Sequence, residues 1–344
     1  MKTLTVAICS YQRRDSLVRL LRALAEQAAA DPEGWTGVDV VVAVDGSTDG
    51  SAPAARAVRS SLPTAVIDQP HAGPAAARNR CLQEARGELL YYLDDDLVPA
   101  PGTLLRHRRA PREGAVRLVL GPCVIPADHA APSKTRTWFA TRYEELERAG
   151  VIRRFDHFSV ANASGPTEDF RSVGGFDTGF VGYGLEDYEI GLRLMQRGIY
   201  ERFDAEAVAW HYTAVGDDAI VPRNRQTGRN AVRLLRRHPG EGVVMLPDRY
   251  SGPGPWLVDR MRVRSPRVLM AVARVAEWSA HRLAKTPPAV EGNLWAAAAA
   301  AAQAAGVADL DPSLVPAFLG RPAPPTTGRR WDRVPVRPDA RVRT

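Results

Sequence analysis

Residues 88–96 read Glu88-Leu89-Leu90-Tyr91-Tyr92-Leu93-Asp94-Asp95-Asp96 and continue into Leu97-Val98-Pro99. An apolar run stops abruptly at three consecutive carboxylates. A short apolar run bounded by polar residues is the signature of a strand buried in a sheet. A strand that carries its charges at the carboxyl end suits an open α/β sheet, where ligands bind beyond the strand C-termini. Three adjacent carboxylates repel one another and need a cation or solvent to compensate them. If the chain stays extended, Asp94 and Asp96 point one way and Asp95 the other. An Asp-x-Asp pair facing one side is a hard-oxygen site suited to Mg²⁺ or Mn²⁺ carrying a phosphate. Taken alone, the three residues read equally well as a solvated acidic turn.

The flanking sequence supplies the rest of a sheet. Thr3–Ile8 forms a first strand, followed by an amphipathic helix over about Ser16–Ala29. Val38–Val44 is a second strand, too continuously apolar to be half exposed, and it ends in the turn-rich Asp45-Gly46-Ser47-Thr48-Asp49-Gly50. A helix over Ala54–Ser61, a short strand at Ala65–Ile67 and a helix opened by Gly73-Pro74-Ala75 and running to about Ala85 lead into the acidic strand. Strand and helix alternate four times in this part of the chain, which predicts a mostly parallel, doubly wound sheet.

Further on, Val116–Leu120, Cys123–Ile125, Phe158–Ala163 and Ala205–Trp210 read as strands, and Ser133–Ala149 as a helix bearing Trp138, Phe139 and Tyr143. The glycine-rich window Val173–Asp187 is a shaped loop. It delivers Glu186-Asp187 to the start of a helix that shows Tyr188, Leu192 and Met195 on one face and stops at Gly198. Beyond Gly216 come a basic helix over Gln226–His238, an amphipathic segment over Arg267–Ala284 and an Ala-rich helix over Trp295–Val307. From Arg321 onward Pro and Arg dominate, and little order is expected.

Composition narrows the function classes. The 344 residues are 45% hydrophobic and 25% charged, ordinary for a soluble globular protein, so neither disorder nor a membrane class is indicated. The net charge of +7 is uneven. Residues 1–217 carry 25 basic and 29 acidic side chains, whereas residues 218–344 carry 21 and 10. The C-terminal part is therefore a candidate for contact with an anionic surface, including the inner face of a membrane. Its arginines are scattered and its aromatics sparse, so it offers neither base-stacking platforms nor groove-reading helices, and no nucleic acid is expected. Cys9, Cys81 and Cys123 are isolated and lack metal-ligand spacing, which argues for a reducing, cytoplasmic setting. The N-terminal apolar run is too short for a signal peptide, and no 18-residue apolar span follows.

Four motifs stand in one order: the first strand with Ser10-Tyr11, Val44-Asp45-Gly46-Ser47-Thr48-Asp49, Leu93-Asp94-Asp95-Asp96, and Gly174-Gly175-Phe176-Asp177 leading to Gly184-Leu185-Glu186-Asp187. With Gly73-Pro74-Ala75-Ala76-Ala77-Arg78-Asn79 between them, the set resembles a family 2 glycosyltransferase over about residues 3–240. The resemblance implies a GT-A-type, Rossmann-like, mostly parallel α/β sheet flanked by helices. It also implies a nucleotide-sugar-binding and catalytic domain over 1–217, with a helical extension over 218–320 and a tail over 321–344.

By this resemblance the activity is metal-dependent, inverting transfer from a nucleotide-sugar, UDP-linked in first choice, to a hydroxyl of a saccharide, peptide, lipid-linked or natural-product acceptor. Ser10, Tyr11 and Asp45 would hold the base, with Arg78, Asn79 and Asp95 beside the nucleotide. Asp94 would contact ribose or metal, and Asp96 and His211 would bind Mn²⁺ or Mg²⁺. Asp187 would be the general base and Glu186 a hydrogen-bond partner of acceptor or sugar. One departure concerns Ser164-Gly165-Pro166-Thr167-Glu168-Asp169, which stands where relatives often carry a basic residue; here Arg171 comes later. A nucleotidyltransferase would use a similar sheet and carboxylate-held metal, but the N-terminal region has no Gly-rich phosphate loop bearing Lys or Arg. A non-catalytic module built on the basic C-terminal part is the remaining alternative.

Overall fold

The computed structural model describes residues 1–129, 142–213, 219–238, 265–282 and 288–311. Trp138, Phe139, Leu283 and the 321–344 tail lie outside the described residues. The chain divides into two compact units, one built from Met1–Thr178 and Glu186–Thr213, the other from Gly179–Leu185 and the described residues of 214–326.

The first unit is organised on an eight-stranded sheet. Its N-terminal elements are β1 (Leu4–Ser10), α1 (Arg14–Ala30), β2 (Val38–Asp45), α2 (Ser51–Arg56), β3 (Thr64–Gln69), α3 (Pro74–Glu84) and β4 (Leu89–Leu93). There follow β5 (Leu97–Pro99), α4 (Thr103–Arg109), β6 (Val116–Leu120), β7 (Cys123–Val124), α5 (142–149), β8 (Val151–Ile152), β9 (Asn162–Pro166) and α6 (Thr167–Ser172). The unit ends with α7 (Glu186–Gln196), β10 (Tyr200–Phe203) and β11 (Ala209–His211). Strand order is β3-β2-β1-β4-β9-β6-β10-β8, and β5-β11-β7 form a small second sheet.

The core follows from register. β1 pairs in parallel with β2, Leu4 opposite Val38, Val6 opposite Val40 and Ile8 opposite Val42, and with β4, Leu4 opposite Leu89 and Val6 opposite Tyr91. The alternate residues therefore stack on one sheet face and bury against Leu17, Leu20 and Leu24 of α1. Each such fully buried side chain contributes roughly 1.5–3 kcal/mol. That explains why the apolar runs of β1, β2 and β4 are continuous: both faces of the strands are covered.

The sheet departs from the expected topology at its middle. β9 runs antiparallel to both β4 and β6, with Leu93 opposite Asn162 and Tyr91 opposite Ser164. The strand expected at Phe158–Ala163 thus begins only at Asn162 and runs to Pro166. Its sequence, Asn-Ala-Ser-Gly-Pro, carries no β-branched or aromatic residue, so tertiary pairing overrides propensity. Small side chains suit the place: an added Cβ at Gly165 would come within 2.0 Å of Leu118 Cδ2. Two other boundaries move. The second helix occupies Ser51–Arg56 rather than Ala54–Ser61, and of the strand expected at Ala205–Trp210 only the end is strand, as β11 (Ala209–His211), while β10 (Tyr200–Phe203) lies before it and was not expected.

In the second unit, α8 (Ile220–Arg237), α9 (Pro266–Arg282) and α10 (Pro288–Leu310) pack as a helical cluster. An added Cβ at Gly228 would lie 2.0 Å from the Gln303 carbonyl oxygen, and one at Gly306 would lie 1.9 Å from that of Arg225. The Ala-rich run of α10 is thus a close-approach surface on which α8 lies backbone against backbone. Arg225 and Arg229 both pair with Asp309 across this crossing. On α8, Arg229, Arg233, Arg236 and Arg237 line a cavity of about 710 Å³.

α8 also fixes the Gly179–Leu185 loop of its own unit. The Asn230 amide donates to the Gly184 carbonyl at 2.8 Å, and Gln226 donates to that of Val181 at 2.6 Å. Arg233 lies over the Phe180 ring and Arg223 over Tyr183. Among the described residues no helix is long and apolar enough to cross a membrane.

Candidate active site

At the carboxyl ends of β1, β2 and β4 the strand charges collect as the open-sheet reading requires. The three carboxylates do not continue the strand. β4 ends at Leu93, and the Leu97 amide donates to the Asp94 carbonyl at 3.1 Å, closing a turn over Asp94–Leu97. Side-chain alternation therefore lapses, which corrects the expected split of Asp94 and Asp96 from Asp95. Instead Asp95 and Asp96 share one partner. Arg13 Nη1 donates to Asp95 Oδ1 at 2.9 Å and to Asp96 Oδ2 at 2.6 Å. Asp94 Oδ1 accepts from Arg78 at 3.2 Å.

His211 reaches this turn because β11 pairs antiparallel with β5, placing His211 opposite Leu97. The Tyr212 amide donates to the Asp96 carbonyl at 2.8 Å and locks that end of the strand. His211 Nε2 consequently lies 3.3 Å from Asp96 Oδ2.

Environment separates the neighbouring acids. Removal from water pushes Asp95 up to about 7 despite Arg13, and its Oδ2 has no hydrogen-bond partner. Burial also opposes the charge on Asp96, but His211 and Arg13 hold it down at about 2. Asp96 therefore remains ionised at neutral pH, and the site keeps a buried carboxylate oxygen of Asp95 to spare.

The β1–α1 loop is built on the Asp45–Asp49 motif. Gln12, in the left-handed region at φ 53, donates through its backbone amide to Ser47 and through its side chain to Thr48. The Arg14 amide donates to Asp49. These contacts carry Arg13 toward Asp95, 82 residues away.

Asp45 is buried at the end of β2 and organises the chain after β3. Its carboxylate accepts from the Gln69 side chain and from the Ala72 and Gly73 amides, and His71 Nδ1 lies 2.8 Å from its Oδ2. The His71 ring in turn stacks on Tyr11 at 4.2 Å. Ser10 is buried at the end of β1.

On α3, Arg78 joins two parts of the site. It donates to Glu186 Oε1 at 2.7 Å as well as to Asp94. Glu186, at the start of α7, is buried, and its Oε2 has no hydrogen-bond partner. Asp187 is half-buried, with Oδ1 accepting from the Tyr188 amide. Asn79 turns away from this cluster: it donates to the Phe176 carbonyl and accepts from the Phe176 amide, pinning the Gly-Gly-Phe-Asp motif to α3.

The fold thus gathers Asp94, Asp95, Asp96, Arg78, Glu186 and His211 into one linked network. Two further residues of the site, Arg13 on Asp95 and Asp96 and His71 on Asp45, escaped the sequence reading. Arg13 follows the Ser10-Tyr11 motif and His71 precedes Gly73-Pro74, so motif adjacency was a usable signal for both.

Among the described residues no group of three or more His, Cys, Asp and Glu side chains forms a ready metal cage. A carboxylate and an imidazole do meet at 3.3 Å, and the adjacent Asp95 keeps a buried oxygen without a hydrogen-bond partner. Two protein ligands completed by substrate phosphates is a common arrangement for Mg²⁺, which is seldom caged by protein alone. The residues fit such an ion.

Comparisons with known proteins place this architecture. Residues 5–165 match the family model for glycosyl transferase family 2, and residues 146–212 match one described as the N-terminal domain of galactosyltransferase. A validoxylamine A glucosyltransferase of Streptomyces hygroscopicus subsp. limoneus is 30% identical over 69% of this chain and 57% of its own length. Its counterpart from subsp. jinggangensis is 29% identical over 69% of this chain and 61% of its own length. The matches therefore span about 60% of the length of these curated relatives. The solved mannosyltransferase PcManGT from Pyrobaculum calidifontis, in complex with GDP-Man and Mn²⁺, superposes with a TM-score of 0.61 at 20% identity, covering 90% of this chain and 87% of its own. That likeness shows a shared fold.

Proposed function

We propose, since the chain belongs to glycosyl transferase family 2, that it transfers a sugar from a nucleoside-diphosphate donor to an acceptor hydroxyl with inversion at the anomeric carbon. The observation that carries this reading is the single network joining the Asp94–Asp96 turn through Arg78 to Glu186 at the head of α7. It sets the carboxylates suited to a donor diphosphate beside the carboxylates suited to an acceptor.

Each residue takes a role from its surroundings. The Tyr11–His71 stack offers a face to a base, and Asp45 holds the 69–73 turn around it. A uridine base is proposed for this place. Asp96 and His211 would hold Mn²⁺ or Mg²⁺, which supplies Lewis-acid stabilisation of the departing diphosphate. Arg78 keeps Glu186 and Asp94 in fixed geometry from a position that is itself 12% exposed. Asp187 takes the proton from the acceptor hydroxyl. Its carboxylate stands at the N-terminus of α7, with Oδ1 on the Tyr188 amide.

Release of free nucleoside diphosphate from a panel of UDP-, GDP- and dTDP-sugars tests the donor class without any acceptor. Turnover of one donor class, dependent on added Mn²⁺ or Mg²⁺, is the expected result. Undiminished turnover in excess EDTA would remove the metal from the reading, and no release from any donor would remove the activity.

A further inference from the structure

The cation nearest the acidic turn belongs to the protein. A single guanidinium nitrogen, Arg13 Nη1, bridges Asp95 Oδ1 and Asp96 Oδ2 at 2.9 and 2.6 Å. Both carboxylates are buried, with side chains 6% and 10% exposed, whereas that of Arg13 is 34% exposed. The arginine can withdraw into water while the acids cannot. Asp96 Oδ2 is also the oxygen that lies 3.3 Å from His211 Nε2. An ion held between Asp96 Oδ2 and His211 Nε2 would compete with Arg13 for that oxygen.

The charge balance agrees. Asp95 has one oxygen on Arg13 at 2.9 Å, and this guanidinium is the cation bonded to it. Removing the guanidinium without replacement would leave neighbouring buried carboxylates to repel one another. A divalent ion supplies that replacement, and two positive charges do not share one oxygen without repulsion.

We propose that Arg13 is a built-in counter-ion for Asp95 and Asp96 which a divalent ion displaces, so that metal loading and release of Arg13 are one coupled event. The inference rests on the metal reading of Asp96 and His211. Coupling of this kind is reciprocal: what the arginine loses to the metal, the metal gains when the arginine is removed.

Two measurements on the full chain decide it. Binding of Mn²⁺ is followed by the EPR signal of the free ion for wild type, Arg13→Gln and Arg13→Lys, with far-UV circular dichroism on each. Arg13→Gln should bind Mn²⁺ about 5- to 150-fold more tightly than wild type, the usual range of such couplings. Arg13→Lys, which keeps the charge, should stay closer to wild type. Phenylglyoxal labelling of wild-type Arg13, read by peptide mass spectrometry, should increase when Mn²⁺ is added. This second readout stands if Arg13→Gln fails to fold. Mn²⁺ binding by wild type with no rise in Arg13 labelling, or with equal or weaker affinity in a folded Arg13→Gln, overturns the counter-ion role alone. Absence of Mn²⁺ binding by wild type and both variants, with UDP present as well, overturns the metal reading and the proposal together.

Discussion

At the residue scale, adjacent acids of the site differ because their surroundings differ. Asp95 and Asp96 share Arg13, yet Asp96 also has His211 and is held at about 2 while Asp95 is pushed up to about 7. Glu186 and Asp187 divide in the same way, one buried on Arg78 and the other half-exposed at the helix start. Asp187→Asn retains the oxygen that accepts from the Tyr188 amide and removes the proposed proton acceptor. Its kcat should fall by roughly 10²- to 10⁴-fold with donor affinity unchanged, as steady-state kinetics and donor titration will show. A kcat near wild type would make Asp187 a helix cap. Arg78→Met exposes a different dependence, since it leaves Glu186 buried without its cation. Breaking one side of a buried pair costs about 3–5 kcal/mol, so urea unfolding should show a loss of this size. Adding Glu186→Gln should recover part of it, and strict additivity of the two changes would contradict the pairing.

At the scale of elements, short pieces of structure place long-range partners. The three-residue pairing of β11 with β5 is what sets His211 against Asp96. The irregular β9 carries Asn162, whose Oδ1 accepts from the Tyr91 hydroxyl at 2.7 Å and whose Nδ2 donates to the Pro122 and Ala207 carbonyls. A strand of weak propensity is therefore held by buried hydrogen bonds as much as by its ladder. In the helical unit the close crossing of α8 and α10 depends on having no side chain at Gly228 or Gly306. Gly306→Leu would drive a side chain into the Arg225 carbonyl. Overpacking of that kind costs typically about 1–3 kcal/mol, and more where backbone must shift. A clear fall in the thermal midpoint is expected, whereas Arg236→Ala, at a 62% exposed side chain, should change it little. Equal effects of the two substitutions would mean that the crossing is looser than the packing indicates.

At the scale of the whole molecule, the buried titratable groups give stability an unusual pH dependence. Burial raises Asp95 to about 7 and raises Glu201, on β10, well above the ordinary carboxylate range. Burial lowers His107 to about 3, where it hydrogen-bonds Asn162 and Ser164. In the window above the ordinary carboxylate range the folded state thus keeps protons on Asp95 and Glu201 that the unfolded chain releases. Over the same window the unfolded chain holds one proton on its histidine that folded His107 excludes. The folded state binds the larger number, so stability falls as pH rises through this window. Denaturation of the metal-free protein at pH 5 and 6.5 should show the higher stability at pH 5, and Glu201→Gln should flatten the profile. A wild-type profile that rises over this window would contradict the burial of these groups.

What the sequence determined by itself was the set of local patterns. The continuous apolar runs of β1, β2 and β4, the alternation with α1 and α3, the carboxylates ending β4 and the motif order were enough to imply the α/β sheet and its family. These are legible because burial period and turn chemistry are properties of neighbouring residues. Partners were not legible. Arg13 meets Asp95 across 82 residues, Arg78 meets Glu186 across 108, and His71 stacks on Tyr11 through a turn held by Asp45. The strand at Asn162–Pro166 has no strand propensity to read, and the turn at Asp94–Leu97 cancels the alternation that an extended chain would have kept. Such outcomes depend on register, on where crossovers return the chain and on which charges are left buried together. Only the packed molecule sets these, because the free energy of a buried ion pair exists only once both partners have left water.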